Sequence, residues 1–204
     1  MKLIFRTLLE LLFPKTDDEK IIGRYTIDTF CKKSNSQNTR EVWSLLSFAD
    51  PAVRAAIHLN KFHNHQHAQE LLAQVLRQWL RANAHNPCIL IPIPLSTQRL
   101  RERGHNQVTT IAAKAVHGLH SMQLCDGALI KIIHTKAQTS LPKKERLHNL
   151  QGAYTCSSKY HSRITGAHIV LLDDVTTTGT TLCEAKATLL PHKPLSITCV
   201  ALAH

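Results

Sequence analysis

Short apolar runs alternate along the chain with longer segments in which apolar residues recur at helical spacing. The short runs predict strands, and the segments with a 3.6-residue period predict amphipathic helices. The predicted strands cover residues 41–48, 88–94, 129–133, 167–172 and 195–202, and the predicted helices cover residues 52–59, 67–81, 106–117 and 182–190. Because strand and helix alternate from residue 88 onward, we expect an α/β fold with a mainly parallel, twisted sheet flanked by helices.

The first 40 residues differ from the rest of the chain. Residues 2–13 have apolar side chains at helical spacing and are followed by Pro14, which predicts an amphipathic helix. This run superficially resembles a signal peptide, but Arg6 and Glu10 interrupt it and no small-residue cleavage site follows. Residues 15–40 are polar and aperiodic, which predicts a linker or a small excursion of the chain. We therefore expect a small helical and irregular extension at 1–40, a main domain at 41–204, and no membrane-spanning segment.

The most informative stretch is IVLLDDVTTTGTT, residues 169–181. Its apolar first part predicts a strand buried on both faces, which leads directly into Asp173 and Asp174. A loop of small hydroxyl residues follows and precedes a predicted helix, so its backbone N–H groups favour an anion at the helix N-terminus. The loop consists of Thr176, Thr177, Thr178, Gly179, Thr180 and Thr181.

Two adjacent carboxylates repel a phosphate, but they accept hydrogen bonds from a ribose diol or lie near a magnesium ion. The acid pair and the phosphate loop together therefore predict a site for ribose 5-phosphate. The alternative is an acidic turn at a strand end that binds nothing. The loop TTTGTT and the amphipathic helix after the acid pair favour the ligand site.

A cluster of arginines follows the strand predicted at 88–94, whose prolines end its ladder. Ligands of open α/β sheets bind beyond the carboxyl ends of strands, so this strand end and the one before Asp173 can share a crevice. Arg99, Arg101 and Arg103 cannot all face one ligand on a regular helix. We expect Arg99 to bind a pyrophosphate, with Arg101 and Arg103 facing solvent, a partner or a polyanion. A solvated helix face is the alternative.

Residues 134–150 have few large apolar side chains and several cations, which predicts a mobile basic loop. An ordinary surface loop of a basic protein is the alternative. The chain as a whole has 25 Lys and Arg against 14 Asp and Glu, a formal net charge of +11. Polyanions are therefore the natural partner class, although a basic host proteome explains the charge equally well. Six cysteines are spread singly, which argues against a zinc ribbon or a disulfide framework and suits a reducing cytosol.

The stretch at 169–181 resembles the signature of the type I phosphoribosyltransferases, which bind phosphoribosyl pyrophosphate (PRPP). Further segments make the resemblance more specific. The chain is similar to the ComF competence proteins in four segments, which occur in this order: IPIPLSTQRLRERGHNQ, KIIHTKAQTSL, KERLHNLQGAY and LLDDVTTTGTTL. The resemblance covers roughly residues 41–204, and LLELLFP lies in the position expected for the start of the family. On this basis residues 1–40 are a degenerate remnant of the family's zinc-element region.

The resemblance implies a PRPP-binding protein of the natural transformation machinery that handles incoming single-stranded DNA. It implies a cytoplasmic protein with possible peripheral contact at the inner membrane, and a DNA-uptake helicase or inner-membrane channel component as partner. Magnesium would be held through PRPP, with no direct protein ligand. The residues implied in catalysis are Asp173, Asp174, Arg99 and Lys131; those implied at the leaving group are Arg99, Lys136 and Arg146; those implied in DNA binding are Arg101, Arg103, Lys143 and Lys144.

Several positions depart from the family pattern. Thr176 stands where the signature usually has an aliphatic residue, Lys131 where arginine is expected, and His105 where phenylalanine is expected. A lysine cannot make the bidentate contact of an arginine, which weakens a leaving-group role for Lys131. Many ComF proteins carry a four-cysteine zinc element near the N-terminus, whereas residues 15–40 contain only Cys31, so no zinc is expected.

Two other functions remain open at this stage. The first alternative is an active phosphoribosyltransferase that acts on an unidentified base. The second is a docking protein that PRPP regulates and that holds a helicase or membrane component through its N-terminal helix. Aromatic residues make up only 5% of the chain, so any single-stranded DNA binding should depend mainly on phosphate contacts.

Overall fold

The structure is a computed structural model that describes residues 16–39, 41–132 and 152–204. The helix predicted at 2–13 and the whole basic loop predicted at 134–150 lie outside the described residues. The helices are α1 (Asp17–Ile22), α2 (Ile27–Cys31), α3 (Pro51–His63), α4 (Gln66–Asn83), α5 (Thr97–Arg103), α6 (Gln107–Val116), α7 (His161–Ile164) and α8 (Thr180–Leu189). The strands are β1 (Gln37–Thr39), β2 (Val42–Leu46), β3 (Cys88–Pro92), β4 (Met122–Leu124), β5 (Leu129–Lys131), β6 (Tyr154–Cys156), β7 (His168–Val175) and β8 (Ser196–Ala203).

Six strands form one sheet in the order β1-β2-β8-β7-β3-β4. All neighbours are parallel except β1, which pairs antiparallel with β2. The predicted mainly parallel sheet is therefore confirmed. Strands β3 and β7 are direct neighbours, with Pro92 opposite Leu172, so their carboxyl ends lie side by side as the sequence predicted.

Strand β7 runs through the middle of the sheet and is buried on both faces. Ile169 and Leu171 contribute to the core under α8 and the β5–β6 hairpin, whereas Val170 and Leu172 contribute to the core under α3, α4 and α6. Successive side chains of a strand point to opposite faces, and here both faces are covered by apolar side chains. This double burial explains the unbroken apolar run in the sequence.

The prediction of a linker at 15–40 is wrong, because this segment contains two short helices, α1 and α2. Helices α1 and α2 each begin with a capping box, in which the side chains of Thr16 and Thr26 accept from backbone N–H groups three residues on. Their apolar residues Ile22 and Phe30 are fully buried in the main core. Helices this short show no periodicity, so only their caps could have indicated them. The division of the chain at residue 40 stays a prediction.

The strand predicted at 129–133 does not join the main sheet. It forms β5, which pairs antiparallel with β6 so that Lys131 lies opposite Tyr154. This two-stranded hairpin lies on the face of the sheet that α8 covers. The hairpin therefore places Lys131 and Tyr154 close to the end of β7.

Candidate functional site

A cavity of about 210 Å³ opens at the carboxyl ends of β3 and β7. Its lining includes Arg99, Arg103, Lys131, Asp173, Asp174 and Thr181, together with Lys61, Gln107 and Tyr154. The backbone segments of β3 and β7 remain hydrogen-bonded to each other up to the rim of the cavity, where the N–H of Ile93 donates to the carbonyl oxygen of Leu172 over 2.8 Å. Residues that are far apart in the sequence therefore form the acidic and basic walls of one cavity.

The prediction that the motif strand ends at Leu172 is wrong, because β7 continues to Val175. Asp173 and Asp174 therefore belong to the strand, and adjacent strand residues point to opposite faces. Asp174 lies on the side of α3 and α6, and Asp173 on the side of the β5–β6 hairpin. The two carboxylates meet the same cavity from its two sides.

Asp174 is buried and has three partners. Gln107 Nε2 donates to its Oδ2 over 3.1 Å, Lys61 Nζ lies 3.5 Å from the same oxygen, and the N–H of Val175 donates to Oδ1 over 2.7 Å. Gln107 lies in the first turn of α6, where Asn106 caps the helix. The sequence analysis missed both Gln107 and Lys61, since neither polar residue stands out on its helix.

Asp173 is half-buried, and its Oδ1 accepts from the N–H of Asp174 over 2.8 Å. Burial and then the charge of Asp174 raise the pKa of Asp173 to about 7, against the opposing charges of Lys61 and Lys131. Near neutral pH this carboxyl can therefore either donate or accept a hydrogen bond. Such a shifted carboxyl in a cleft is a recurrent property of functional sites.

The loop after β7 forms a small separate cavity of about 50 Å³, lined by Asp173, Val175 and residues 176–181. Gly179 has φ +78° at the N-terminus of α8, and no side chain caps this helix. Its first-turn N–H groups are thus available to an anion. Thr176 Oγ1 accepts from the N–H of Gly179 over 3.0 Å, and the hydroxyls of Thr178 and Thr180 lie 2.8 Å apart. Thr176 therefore shapes the loop with its hydroxyl.

Arg99 and Arg103 lie four residues apart on α5, so they share one helix face, and both line the larger cavity. The prediction for Arg99 agrees with this placement, but the expectation that Arg103 faces solvent or a polyanion is wrong. Arg103 is half-buried beside the ring of Phe62, with its Cζ 5.4 Å from the ring centroid. Arg101 is exposed and does not line this cavity.

Lys131 and Tyr154 form the wall opposite Asp174. Lys131 Nζ lies 5.5 Å from the centroid of the Tyr154 ring. Burial and the neighbouring charge of Arg99 lower the pKa of Lys131, with Asp173 opposing the shift. Burial and the charge of Asp173 raise the pKa of Tyr154 well above its ordinary range, so its hydroxyl remains a donor. The sequence analysis missed Tyr154, which lies at the end of the segment KERLHNLQGAY.

Three buried polar atoms around this cavity have no hydrogen-bond partner among the residues that the structure describes: Arg103 Nη1, Gln107 Oε1 and the Tyr154 hydroxyl. Buried polar groups are normally paired, and these three offer two donors and one acceptor to a ligand. The other predicted cations, Lys136, Lys143, Lys144 and Arg146, lie outside the described residues. The ring of His105 contacts the Arg103 carbonyl oxygen through Nδ1 at 3.0 Å, where the family pattern led us to expect phenylalanine.

The sequence matches a family model described as a phosphoribosyl transferase domain over residues 60–204. The chain therefore belongs to the phosphoribosyl transferase domain family, and the predicted type I phosphoribosyltransferase-like fold is confirmed. The match contains the whole of β3, β7 and β8 and every residue named at the two cavities.

Two curated relatives show more specifically which proteins the chain resembles. The chain is 29% identical over 153 residues to the DNA utilization protein YhgH of Escherichia coli O157:H7, which covers 72% of this chain and 65% of that protein. It is 32% identical over 98 residues to Competence protein F of Haemophilus influenzae, which covers 48% of this chain and 42% of that protein. The matches confirm the resemblance to the ComF proteins, and they span less than two thirds of either relative.

Among solved structures, the hypoxanthine phosphoribosyl transferase of Trypanosoma cruzi superposes with a TM-score of 0.40. The sequence identity is 12%, and the superposition covers 72% of this chain and 64% of that chain. Family membership rests on the sequence match, and this superposition adds nothing to it. Among the residues that the structure describes, no helix combines the length and apolarity needed to cross a membrane.

Proposed function

We propose that the cavity at the ends of β3 and β7 binds PRPP and that the chain uses this site in DNA uptake. The observation that carries the proposal is the arrangement of charge: Asp173 and Asp174 face Arg99, Arg103 and Lys131 across one cavity. PRPP needs this combination, because its ribose diol donates to carboxylates and its pyrophosphate requires cations.

The two cavities hold different parts of PRPP. The 5-phosphate occupies the smaller cavity, where residues 176–181 supply hydroxyls and the free N–H groups of α8. The ribose lies at Asp173 and Asp174, and the pyrophosphate extends toward Arg99, Arg103 and Lys131. Magnesium would be held through PRPP and would offset the charge of its phosphates, since Mg²⁺ keeps several waters and binds phosphate oxygens readily.

Thermal unfolding with fragments of PRPP tests this division. We expect PRPP with Mg²⁺ to raise Tm more than ribose 5-phosphate or pyrophosphate does alone, because each fragment fills only part of the site. Gly179→Ala should weaken ribose 5-phosphate binding and leave the pyrophosphate effect in place. Arg103→Gln should have the converse effect. Equal responses of both variants to both fragments contradict the assignment.

The role in DNA uptake rests on the named relatives and on charge. One relative is named Competence protein F and the other a DNA utilization protein, and this chain carries a formal net charge of +11. We propose that it binds incoming single-stranded DNA in the cytoplasm, mainly through phosphate contacts. Gel shifts with single- and double-stranded DNA across a salt series provide the test. Absence of a shift at low salt contradicts DNA binding but leaves PRPP binding unaffected.

Transfer of the phosphoribosyl group to a base is the second candidate function. An apolar groove lined by Phe48, Ile57, Phe62 and Val175 adjoins the PRPP cavity and shares Lys61 with it. Phe62 is 59% exposed, so its ring is available to stack against a base. In such a transfer, pyrophosphate leaves C1 with the bonding electrons, and a base nitrogen forms the new bond and loses its proton to solvent. Pyrophosphate release with a panel of bases, repeated with Phe62→Ala, tests this.

A further inference from the structure

A second cluster of reactive side chains lies outside the lining of the PRPP cavity, at the end of β6. Cys156 ends β6, His161 begins α7, and His192 lies in the short 3-10 turn after α8. One ligand atom from each residue lies within 4.8 Å of the other two. In the part of the chain that the structure describes, this is the only such group of three histidine, cysteine or acidic side chains.

The side chains of Cys156, His161 and His192 are half-buried, and their ligand atoms make few hydrogen bonds to other described residues. His161 Nε2 is buried and has no hydrogen-bond partner within the described ranges 16–39, 41–132 and 152–204. Cys156 is a free cysteine whose Sγ makes one long contact, 3.8 Å to the Ser157 carbonyl oxygen. The rings of His161 and His192 are stacked with centroids 4.2 Å apart. Thiol and imidazole groups without other partners are the ligand types that zinc prefers.

The backbone around the cluster is held in place. Thr165 Oγ1 lies within hydrogen-bond distance of the carbonyl oxygens of His161 and His192, at 3.0 and 3.1 Å, and its single proton is shared between them. The N–H of Gly166 donates to the Lys193 carbonyl oxygen over 2.9 Å. The segments that carry the two histidines are therefore linked independently of any ion. A site whose ligands are already positioned loses less entropy on binding.

We propose that Cys156, His161 and His192 bind one zinc ion. Tetrahedral zinc needs ligand atoms roughly 3–4 Å apart, so small side-chain rotations within the observed cluster suffice. The thiol gives up its proton to solvent when the Zn–S bond forms. Three protein ligands leave the fourth position to a water molecule. The ion joins the end of β6, two residues from Tyr154, to the turn that follows α8, and so fixes one wall of the PRPP cavity.

The sequence analysis expected no zinc in this chain, because residues 15–40 lack the four-cysteine element and because the six cysteines are spread singly. A site made from one cysteine and two histidines on separate segments has no such spacing signature. Only the tertiary structure brings these ligands together, through the contact of α7 with the 3-10 turn that follows α8.

Cobalt titration of the metal-free full chain is the experiment, because Co²⁺ replaces zinc and reports its ligands by absorption. We expect one Co²⁺ per chain with a thiolate charge-transfer band, loss of the band on adding zinc, and a Tm about 5–10 °C higher at a zinc concentration of about 100 times Kd. Cys156→Ser should lose the band, and His192→Ala should lose more than the roughly 10- to 100-fold in affinity that an outer-shell partner supplies.

Cys183→Ser and His117→Ala are the matched controls, since both residues are exposed and lie outside the cluster. Both should bind Co²⁺ as the unaltered chain does, and circular dichroism verifies the fold of each variant. The chain contains 14 histidines, so binding through histidines alone is a distinct outcome and would appear without the thiolate band. That outcome, or a band that Cys156→Ser retains, overturns the proposal. If Cys156→Ser does not fold, unchanged affinity in His192→Ala overturns it.

Discussion

Gln107 donates a hydrogen bond from Nε2 to Asp174 Oδ2 over 3.1 Å, and both side chains are buried. This contact joins the first turn of α6 to the end of β7 across 67 residues of sequence. It fixes which oxygen of Asp174 faces the cavity, and it leaves Gln107 Oε1 without a partner beside the proposed ribose. A residue that the motif does not contain therefore orients the motif's second carboxylate.

Gln107→Leu should destabilise the fold and weaken PRPP binding. A hydrogen bond to a charged group contributes about 1.5–3 kcal/mol, and its loss leaves the buried Asp174 carboxylate with one fewer donor. Urea unfolding measures the first effect, and calorimetric titration with PRPP measures the second. A double-mutant cycle with Asp174→Asn is the control, because the two changes should be strongly non-additive. Additive effects on stability would show that the contact contributes nothing.

Gly179→Ala should damage the phosphate loop more than the same change in another turn. Gly179 and Gly118 have nearly equal backbone angles, φ +78° and +77°, so alanine is strained by about 1 kcal/mol at either position. A Cβ on Gly179 would also lie 3.2 Å from Val42 Cγ2, whereas one on Gly118 meets nothing within 4 Å. We expect both variants to lose stability and only Gly179→Ala to lose at least about tenfold in PRPP affinity. An equal loss of affinity in Gly118→Ala would contradict the role of the loop.

The raised pKa of Asp173 predicts an unusual dependence of stability on pH in the absence of ligand. Its pKa is about 7 in the fold against 3.8 ordinarily, so the folded protein binds this proton more tightly than the unfolded chain does. The contribution to the free energy of unfolding is therefore full below about pH 4 and is lost as pH rises toward about 7. Urea unfolding across this range, compared with Asp173→Asn to remove the contributions of other groups, measures it. Identical pH profiles for the two proteins would exclude the raised pKa.

Arg103 and Arg101 provide a matched pair, since they lie two residues apart on α5 but only Arg103 lines the PRPP cavity, whereas Arg101 is exposed. Arg103→Gln should weaken PRPP binding by roughly 10- to 100-fold through the loss of a charge-assisted hydrogen bond. Arg101→Gln should leave PRPP binding unchanged and lower the slope of log affinity for single-stranded DNA against log salt by about 0.7. Calorimetry and a salt series of gel shifts measure the two effects. The reverse pattern would show that Arg103 contributes to DNA binding and that Arg101 contributes to PRPP binding.

Much of the sheet was predictable because its strands are buried on both faces, and such strands have unbroken apolar runs. The run at residues 169–172 and the two acids after it located the site. The exact end of β7 was not predictable, since Asp173 and Asp174 continue the strand at a point where polar residues normally mark a loop. Only the pairing with β8, which extends to Val175 opposite Ala203, keeps this segment extended.

The parts of the site that the sequence did not indicate come from helix faces and from the hairpin. Arg99 and Arg103 share a face only if α5 is a regular helix, and the sequence analysis did not include that segment among the predicted helices. Tyr154 and Lys131 become neighbours only when β5 pairs with β6, and the residues between these strands show no turn signal that fixes the register. Long-range pairing of this kind depends on tertiary structure rather than on local sequence.

Calorimetric titration of the full chain with PRPP and Mg²⁺, alongside the double variant Asp173→Asn and Asp174→Asn, tests the central claim most directly. We predict one PRPP bound per unaltered chain and no measurable binding to a folded double variant, because the amides cannot supply the carboxylate charge that holds the ribose. Repeating the titration with single-stranded DNA present shows whether the two ligands compete. Failure of the unaltered chain to bind PRPP, or equal binding by the folded double variant, would contradict the account.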